Sequence, residues 1–233
     1  MKIIFRSAEL RDVPQLVSLE KDIWGKEGAD EGKIESRIKT FPNGSIVAEL
    51  GLEILGYQSF EYVGDVISGP CFTWSEITDQ GTIKRSHKDG GDFGYGINLT
   101  VGRKAQGIGL GEALSIHAVS RVTEDNKRGS LLGSRMPGFR KYLEKNPGID
   151  AESYMRLERN DAPRDPELRL YCALGFKIMK ILPGYFPDPE SLDFGVLLFL
   201  PNEFYGKKER FFVAQGMREE AQSMLKMEAR SWE

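Results

Sequence analysis

The chain has 233 residues, of which 40% are hydrophobic and 29% charged, and its formal net charge at pH 7 is -3. This length and apolar content suit one elaborated domain, and the interspersed charges exclude the basic surface typical of nucleic-acid-binding proteins. The longest apolar run, Phe194 to Leu200, is too short to span a membrane, and the start lacks a signal-peptide core, so we expect a soluble, cytoplasmic protein.

The first half of the chain is predicted to form five strands and two helices. The strands are predicted from apolar runs, and the first helix from Asp12 and Pro14 ahead of apolar residues at helical spacing. The predicted helices run from Asp12 to near Gly25 and from Lys33 to Lys39. The predicted strands are "KIIFRSA", "SIVAEL", "EILGYQSFEYV", a strand near "FTWSEI", and "YGINLTV". Most of these strands are close enough in sequence to pair antiparallel.

The second half is predicted to add two helices and three strands. The helix "GLGEALSIHAVSRVTED" carries apolar residues on one face, and "PELRLYCALGF" follows Asp165 as its cap and ends at Gly175. The predicted strands are "GSLLGSR", "KIMKILPGYF" and "DFGVLLFL". We predict a domain over residues 1–205 with a polar insertion at 136–165. An amphipathic tail, 206–233, is then predicted to pack on the domain or on a second copy in a homodimer.

The two cysteines, Cys71 and Cys172, show no paired spacing and no histidine cluster lies near them. This pattern favours neither a disulfide framework nor a zinc site. We expect both to be ordinary core thiols, and we expect no metal.

Three glycines at alternate positions, Gly107, Gly109 and Gly111, stand between a predicted strand and a predicted helix. A dinucleotide fingerprint needs glycine where Glu112 stands, and a phosphate loop of nucleotide triphosphatases needs Lys and Ser or Thr after its last glycine. Neither pattern is met. Two interpretations remain: a helix N-terminus whose bare amides capture an anion, or a tight turn without a ligand.

The spacing of Gln106, Gly109 and Gly111 resembles the Q/R-x-x-G-x-G/A pyrophosphate loop of the GNAT superfamily, the GCN-type N-acetyltransferases. Further along, Leu170, Tyr171, Gly175 and Phe176 match the "LYxxxGF" helix of that superfamily. Where the family often has Asn and Ala, seven and four residues before the tyrosine, this chain has Arg164 and Glu167. The resemblance covers about residues 3 to 200. Other segments, "WSEITDQG", "GSRMPGF" and "PGYFPDPESLDFGVLL", look similar to the acetyltransferase half of fusions with a carbon-nitrogen hydrolase.

The resemblance implies an α+β GNAT fold, a mixed and mostly antiparallel sheet flanked by helices. It implies an acyltransferase that moves an acetyl or other short acyl group from acetyl-CoA to an amine of a small molecule or peptide by direct attack. The cosubstrate is then expected to contact the loop Gln106, Gly107, Ile108, Gly109, Leu110 and Gly111 and the main chain of Leu99, Thr100 and Val101. A non-catalytic acyl-CoA sensor and a purely structural partner protein are the alternatives.

Tyr171 is the candidate general acid, since a phenol is protonated at neutral pH and can donate to the leaving thiolate. Glu76 as general base, or Asn98 as holder of a water molecule, is the candidate for removing the amine proton. Arg135 is a candidate partner for an acidic group of the substrate, with a salt bridge as the alternative. His117 is expected in the core and His87 in solvent.

Overall fold

The computed structural model describes residues 2–225, which form seven strands and eight α-helices. The strands are β1 Ile4–Ser7, β2 Ser45–Leu50, β3 Glu53–Val63, β4 Phe93–Val101, β5 Gly129–Arg135, β6 Lys177–Leu182 and β7 Gly195–Pro201. The helices are α1 Val13–Trp24, α2 Glu31–Thr40, α3 Trp74–Ile77, α4 Leu110–Glu124, α5 Phe139–Leu143, α6 Ala151–Met155, α7 Pro166–Ala173 and α8 Arg210–Ser223.

The strands form one sheet in the order β1-β2-β3-β4-β5-β7-β6. Every neighbouring pair is antiparallel except β4 and β5, which are parallel. The α4 helix supplies the crossover that a parallel pair needs. The mixed, mostly antiparallel sheet flanked by helices confirms the fold predicted from the sequence.

The parallel pair separates before either strand ends. The register pairs β4 with β5 only from Phe93 to Gly96 on one strand and from Gly129 to Leu132 on the other. Beyond this point β4 continues along β3, and β5 continues along β7. A gap therefore opens in the middle of the sheet, at the carboxyl ends of its two central strands.

A bulge in β4 lies at the start of this gap. The pairing of β3 with β4 shifts between Ser59 and Phe60, which leaves Ile97 as the extra residue on β4. A bulge re-aims the side chains that follow it. Tyr95, Asn98 and Thr100 therefore share the sheet face that carries α1 and α2, although their numbers do not alternate regularly.

Helices cover both faces of the sheet. On one face, α1 and α2 pack on β2 and β3 through a cluster that includes Leu16, Ile34 and Tyr57. On the other face, α4 packs Leu110 and Leu114 on the same strands, and α8 packs against α4. The segment 136–165 contributes Phe139 and Tyr154 to a cluster with α7 and β7.

Two sequence predictions about local structure were wrong. The segment around "FTWSEI" forms the short helix α3 instead of a strand, because the Thr73 hydroxyl and the Glu76 carboxylate cap each other's backbone amides. Cys71 is exposed instead of buried, while Cys172 is half-buried.

The predicted tail helix is present as α8, and within the described residues it packs on the domain itself. Ala214, Ala221 and Leu225 are buried, the last two in a core cluster with residues of α4, whereas Val213 and Met217 are half-buried. Arg218 binds the Glu124 carboxylate with both of its terminal nitrogens, at 2.9 and 3.1 Å. The rest of the predicted tail, residues 226–233, lies outside the described residues.

We expect Leu225→Ala to lower the free energy of unfolding by about 2 kcal/mol or more, because it empties a buried site. In a chain of this length that corresponds to a melting temperature roughly 4 to 8 °C lower. The control is Phe212→Ala on α8, the helix that ends two residues before Leu225. Phe212 is 80% exposed, so its loss should change the free energy of unfolding by no more than about 0.5 kcal/mol. Equal melting temperatures for the two variants would contradict the burial of Leu225 in the core cluster that α4 and the sheet form.

Glu61 on β3 gives the fold a pH-dependent stability. The residue is 0% exposed, and its only described side-chain hydrogen bond is from Ser86 Oγ at 2.7 Å. Burial raises the pKa of Glu61 from 4.5 to about 8, against the opposing effects of Ser86 and Arg37. Between these two values the folded chain holds a proton that the unfolded chain has released, so stability falls as pH rises through this range.

We expect Glu61→Gln to flatten this dependence, because the amide does not ionise. Thermal unfolding measured from pH 5 to pH 8 should show a melting temperature that falls less in the variant than in the wild type. Glu53→Gln, at the exposed start of the same strand, is the matched control. A variant that follows the wild-type curve would show that Glu61 does not cause the slope.

Candidate active site

The glycine turn joins β4 to α4 through two left-handed residues. Gly107 has φ +80 and Gly109 has φ +86, and α4 begins at the next residue, Leu110. A side chain at Gly107 would meet open space, whereas a Cβ at Gly109 would lie 3.3 Å from the carbonyl oxygen of Met224. Backbone conformation requires glycine at both positions, and Gly109 is also in a close packing contact.

The amide groups at the start of α4 lack partners within the helix. The first hydrogen bond of the helix runs from the Ala113 amide back to the Gly109 carbonyl of the turn, at 3.0 Å. The amides of Leu110, Gly111 and Glu112 precede it, in the first turn of a 15-residue helix. Such amides, together with the helix dipole, favour a bound anion.

The edge of β4 that faces the gap is partly occupied by side chains. Trp74 donates its indole N–H to the Ile97 carbonyl at 3.1 Å, and the Gln106 side chain donates from Nε2 to the Val101 carbonyl at 3.3 Å. Leu99 lies midway between these residues. Because a strand directs alternate residues to the same edge, the Leu99 main chain faces the gap, whereas that of Thr100 faces β3.

A small cavity of about 90 Å³ lies on the α4 side of the gap. Ser115 and Ala118 of α4 form one wall, and the strand residues Gly96 and Leu132 form the other. A larger pocket of about 360 Å³ opens on the opposite side, between α1, α2, α3 and α7.

The two cavities meet at the gap. They share five lining residues: Ile97, Asn98, Leu99, Gly133 and Tyr171. Four of these belong to the diverging strands, and the fifth, Tyr171, is on α7. Two molecules that enter from opposite sides of the sheet would therefore meet beside the Tyr171 ring.

Tyr171 has the environment of a proton donor. Burial raises its pKa well above the usual value for a phenol, and the charge of Glu167 adds to this while Arg135 opposes it. The ring packs edge-on against Phe176, with centroids 5.9 Å apart. The phenol is therefore protonated across the neutral range, and it lines both cavities.

Charged groups of both signs line the larger pocket. Arg37, Lys33 and Arg135 are the cations. The carboxylates are Glu20, Glu27 and Glu167, so the formal charges of the lining cancel. Aromatic rings complete the walls, namely Trp24, Trp74, Tyr171, Tyr185 and Phe186.

A buried polar network behind this pocket was not predicted from the sequence. Glu20, which is 2% exposed, accepts from Asn98 at 2.9 Å and from the Thr100 hydroxyl. Trp24 donates its indole N–H to Thr100 at 2.8 Å, and Arg37 donates to Asn98 at 3.1 Å. The network fixes α1 and α2 against the bulged end of β4, which forms the floor of the pocket.

Of the three other candidate side chains, Asn98 and Arg135 line a cavity and Glu76 does not. Glu76 is on the exposed surface of α3, where Thr73 holds its carboxylate, so it does not line either cavity. Asn98 lies at the gap, but its side chain belongs to the buried network. Arg135 lines the larger pocket, and its Nε lies 3.7 Å from the Glu167 carboxylate.

The two histidines lie outside the cavity linings. His117 stacks on Phe5 with ring centroids 4.0 Å apart, and the residue is half-buried rather than fully inside the core. The prediction that His87 is solvated was wrong, because its side chain is 5% exposed and its Nδ1 accepts from the Tyr62 amide at 3.1 Å.

Residues 2–225 contain neither a membrane-spanning helix nor a cluster of metal ligands. No helix among residues 2–225 is long and apolar enough to cross a membrane. In the same part of the chain, no three His, Cys, Asp or Glu side chains gather in a way that could hold a metal ion.

Sequence comparison finds two relatives in Bacillus subtilis (strain 168). The uncharacterised N-acetyltransferase YkwB is 29% identical over 202 residues, which cover 84% of this chain and 87% of the relative. The probable hydrolase YhcX is 29% identical over 206 residues, which cover 88% of this chain but only 39% of the relative. No family model matches the chain.

Solved structures share the fold at low sequence identity. The loading GNATL domain of CurA from Lyngbya majuscula has a TM-score of 0.76 at 21% identity, over 87% of this chain and 99% of that domain. The GphF GNAT-like decarboxylase, in complex with isobutyryl-CoA, has a TM-score of 0.72 at 22% identity, over 86% of this chain and all of that one. The chain therefore has the GNAT fold, and its sequence is similar to that of an N-acetyltransferase.

Proposed function

We propose that the chain transfers an acetyl or other short acyl group from acyl-CoA to an amine of a small molecule or peptide. The observation that carries this proposal is the meeting of two cavities at Tyr171, across the gap between β4 and β5. One cavity lies against α4, the helix that follows the glycine turn, and the other is the charged pocket. Donor and acceptor would then enter from opposite sides of the sheet and meet at the gap.

The donor side suits acyl-CoA. Its pyrophosphate would accept hydrogen bonds from the amides of the turn Gln106–Gly111, and the positive end of α4 adds favourable potential. Its pantetheine arm would pair as an added strand along the Leu99 to Val101 segment, through the Leu99 main chain that faces the gap. The acyl group would then lie in the small cavity, with the thioester beside Tyr171.

The acceptor side suits a small polar molecule or the end of a peptide. A pocket of about 360 Å³ is at the lower end of the range for ligand sites. Its balanced charges offer partners to an ammonium group and to an acidic group on the same molecule. We infer that the acceptor enters the pocket along the Trp24 side chain and reaches the gap beside Asn98.

The proposed reaction is a direct attack. The amine loses a proton and attacks the thioester carbonyl, so a C–N bond forms. The C–S bond then breaks as Tyr171 donates its proton to the departing sulfur, which yields free CoA. A second proton leaves the nitrogen and restores the phenol. No covalent acyl-enzyme is needed.

Named relatives support the reaction class. YkwB carries the name of an N-acetyltransferase, and a neighbour with TM-score 0.53 is the NatC complex bound to a Gag peptide and CoA. We propose acetyl-CoA as the cosubstrate and the cytoplasm as the location. A non-catalytic acyl-CoA-binding module is the second candidate, because the glycine turn alone would serve it.

Two assays on the purified chain separate these candidates. The first is the shift in melting temperature on adding acetyl-CoA. The second is release of free CoA with a panel of amino acids, amino sugars, polyamines and peptides. A thermal shift with acceptor-dependent CoA release supports the transferase, and a thermal shift without release supports the sensor. Acceptor-independent loss of carbon dioxide from malonyl-CoA would instead indicate a decarboxylase.

A further inference from the structure

The first turn of α7 carries a second ionisable group of the larger pocket. Asp165 caps the helix by accepting hydrogen bonds from the Glu167 and Leu168 amides, at 3.0 and 3.3 Å. Residues four apart lie on the same face of a helix. Glu167 and Tyr171 therefore project side by side, and both line the pocket.

The Glu167 carboxylate is held at the end of β5 by long contacts. Its Oε1 accepts from Ser134 Oγ at 3.3 Å and from the Arg135 amide at 3.2 Å, and its Oε2 lies 3.7 Å from Arg135 Nε. The side chain keeps 23% of its surface exposed. It is thus oriented by the protein while it remains accessible from the pocket.

The other carboxylates near the pocket are less suited to receive a proton. Both oxygens of Glu20 already accept hydrogen bonds, Oε1 from Asn98 and Thr100 and Oε2 from the Ala29 amide at 3.1 Å. Glu27 is exposed in the connection between α1 and α2. Glu76 lies outside the lining. Of these groups, Glu167 is the one beside Tyr171.

Burial raises the pKa of Glu167, whereas the charge of Arg135 and the hydrogen bond from its amide lower it. A general base is most effective when its pKa lies close to the pH of the reaction. The ionisable groups around Glu167 come from every element that borders it. They are Arg135 from β5, the α7 cap Asp165, Tyr171 from α7, Tyr185 after β6, and Glu20, Glu27, Lys33 and Arg37 across the pocket.

We propose that Glu167 is the general base of the acyl transfer, so that one face of α7 supplies both the base and the acid. This inference rests on the proposed function. The Glu167 carboxylate takes one proton from the acceptor ammonium, and the freed lone pair attacks the thioester. Tyr171 gives its proton to the leaving sulfur and regains one from the new amide nitrogen. Glu167 then releases its proton to water, which balances the reaction.

The test is the pH dependence of kcat, measured with acetyl-CoA and the amine of the panel that the wild type acetylates fastest. We expect Glu167→Gln to lower kcat by roughly 10²- to 10⁴-fold and to remove the rise of kcat that follows ionisation of the base. The melting-temperature shift with acetyl-CoA should persist and show that the variant is folded. The control is Glu152→Gln on α6, which removes an exposed carboxylate paired with Arg156.

Arg135→Gln gives a second arm that does not depend on the first variant. Removing the positive charge beside Glu167 raises the pKa of the carboxyl group, so the rise of kcat should move to higher pH. The assignment is overturned if kcat rises at the same pH in both variants as in the wild type. It is also overturned if Glu167→Gln keeps the kcat of the wild type. If the wild type acetylates no amine of the panel, the proposed function fails and the assignment of the base fails with it.

Discussion

Tyr171→Phe is expected to lower the turnover of acyl transfer by roughly 10²- to 10⁴-fold, the usual contribution of a positioned general acid. The phenylalanine ring keeps the edge-on contact with Phe176 and the walls of both cavities, so affinity for acetyl-CoA should change little. Steady-state rates together with the acetyl-CoA thermal shift measure the two effects separately. A loss of kcat without a loss of binding is the signature of the acid.

Tyr142→Phe is the matched control for this substitution. Tyr142 packs in the same apolar cluster as Tyr171 but does not line the two cavities. Its loss of a hydroxyl should leave turnover unchanged. If Tyr171→Phe instead lowers the melting temperature and leaves kcat intact, the hydroxyl has a structural role and Tyr171 has no part in the reaction.

Gly109→Asp is expected to weaken CoA binding by about tenfold or more, which corresponds to ~1.4 kcal/mol. The residue sits at φ +86, where a side chain costs roughly 1 to 2 kcal/mol. Its Cβ would also approach the Met224 carbonyl, and its carboxylate would bring negative charge to the proposed pyrophosphate site. Titration calorimetry with CoA measures the affinity directly.

Gly148→Asp separates backbone strain from the loss of the site. Gly148 has φ +96 and open space around the position of a Cβ, and it lies in the segment 136–165, away from the glycine turn. Both variants should lose stability, but only Gly109→Asp should lose affinity for CoA. Equal CoA affinity in the two variants would place the cosubstrate elsewhere.

Much of the fold could be predicted from local sequence, because most elements carry their own signals. Asp165, Pro166 and Gly175 mark the limits of α7, and the alternate glycines mark the turn before α4. The prediction failed at α3, where aromatic residues resembled a strand. There the reciprocal cap between Thr73 and Glu76 determines the conformation.

The site was less predictable, since it depends on contacts between distant segments. Glu20 and Thr100 are 80 residues apart in sequence, and no spacing rule connects them. The bulge at Ile97 changes which β4 side chains face the pocket, so alternation along the strand gives the wrong face. By contrast, Tyr171 and Glu167 are four residues apart on one helix, and their proximity follows once that helix is predicted.

The most direct test of acyl transfer is mass spectrometry of the amine panel after incubation with the purified chain and isotope-labelled acetyl-CoA. We expect at least one amine to gain a single labelled acetyl group, with release of one equivalent of free CoA. We expect both products to be lost in Tyr171→Phe. Label that stays on CoA with every amine, although acetyl-CoA binds at the glycine turn, would contradict the proposed acyl transfer.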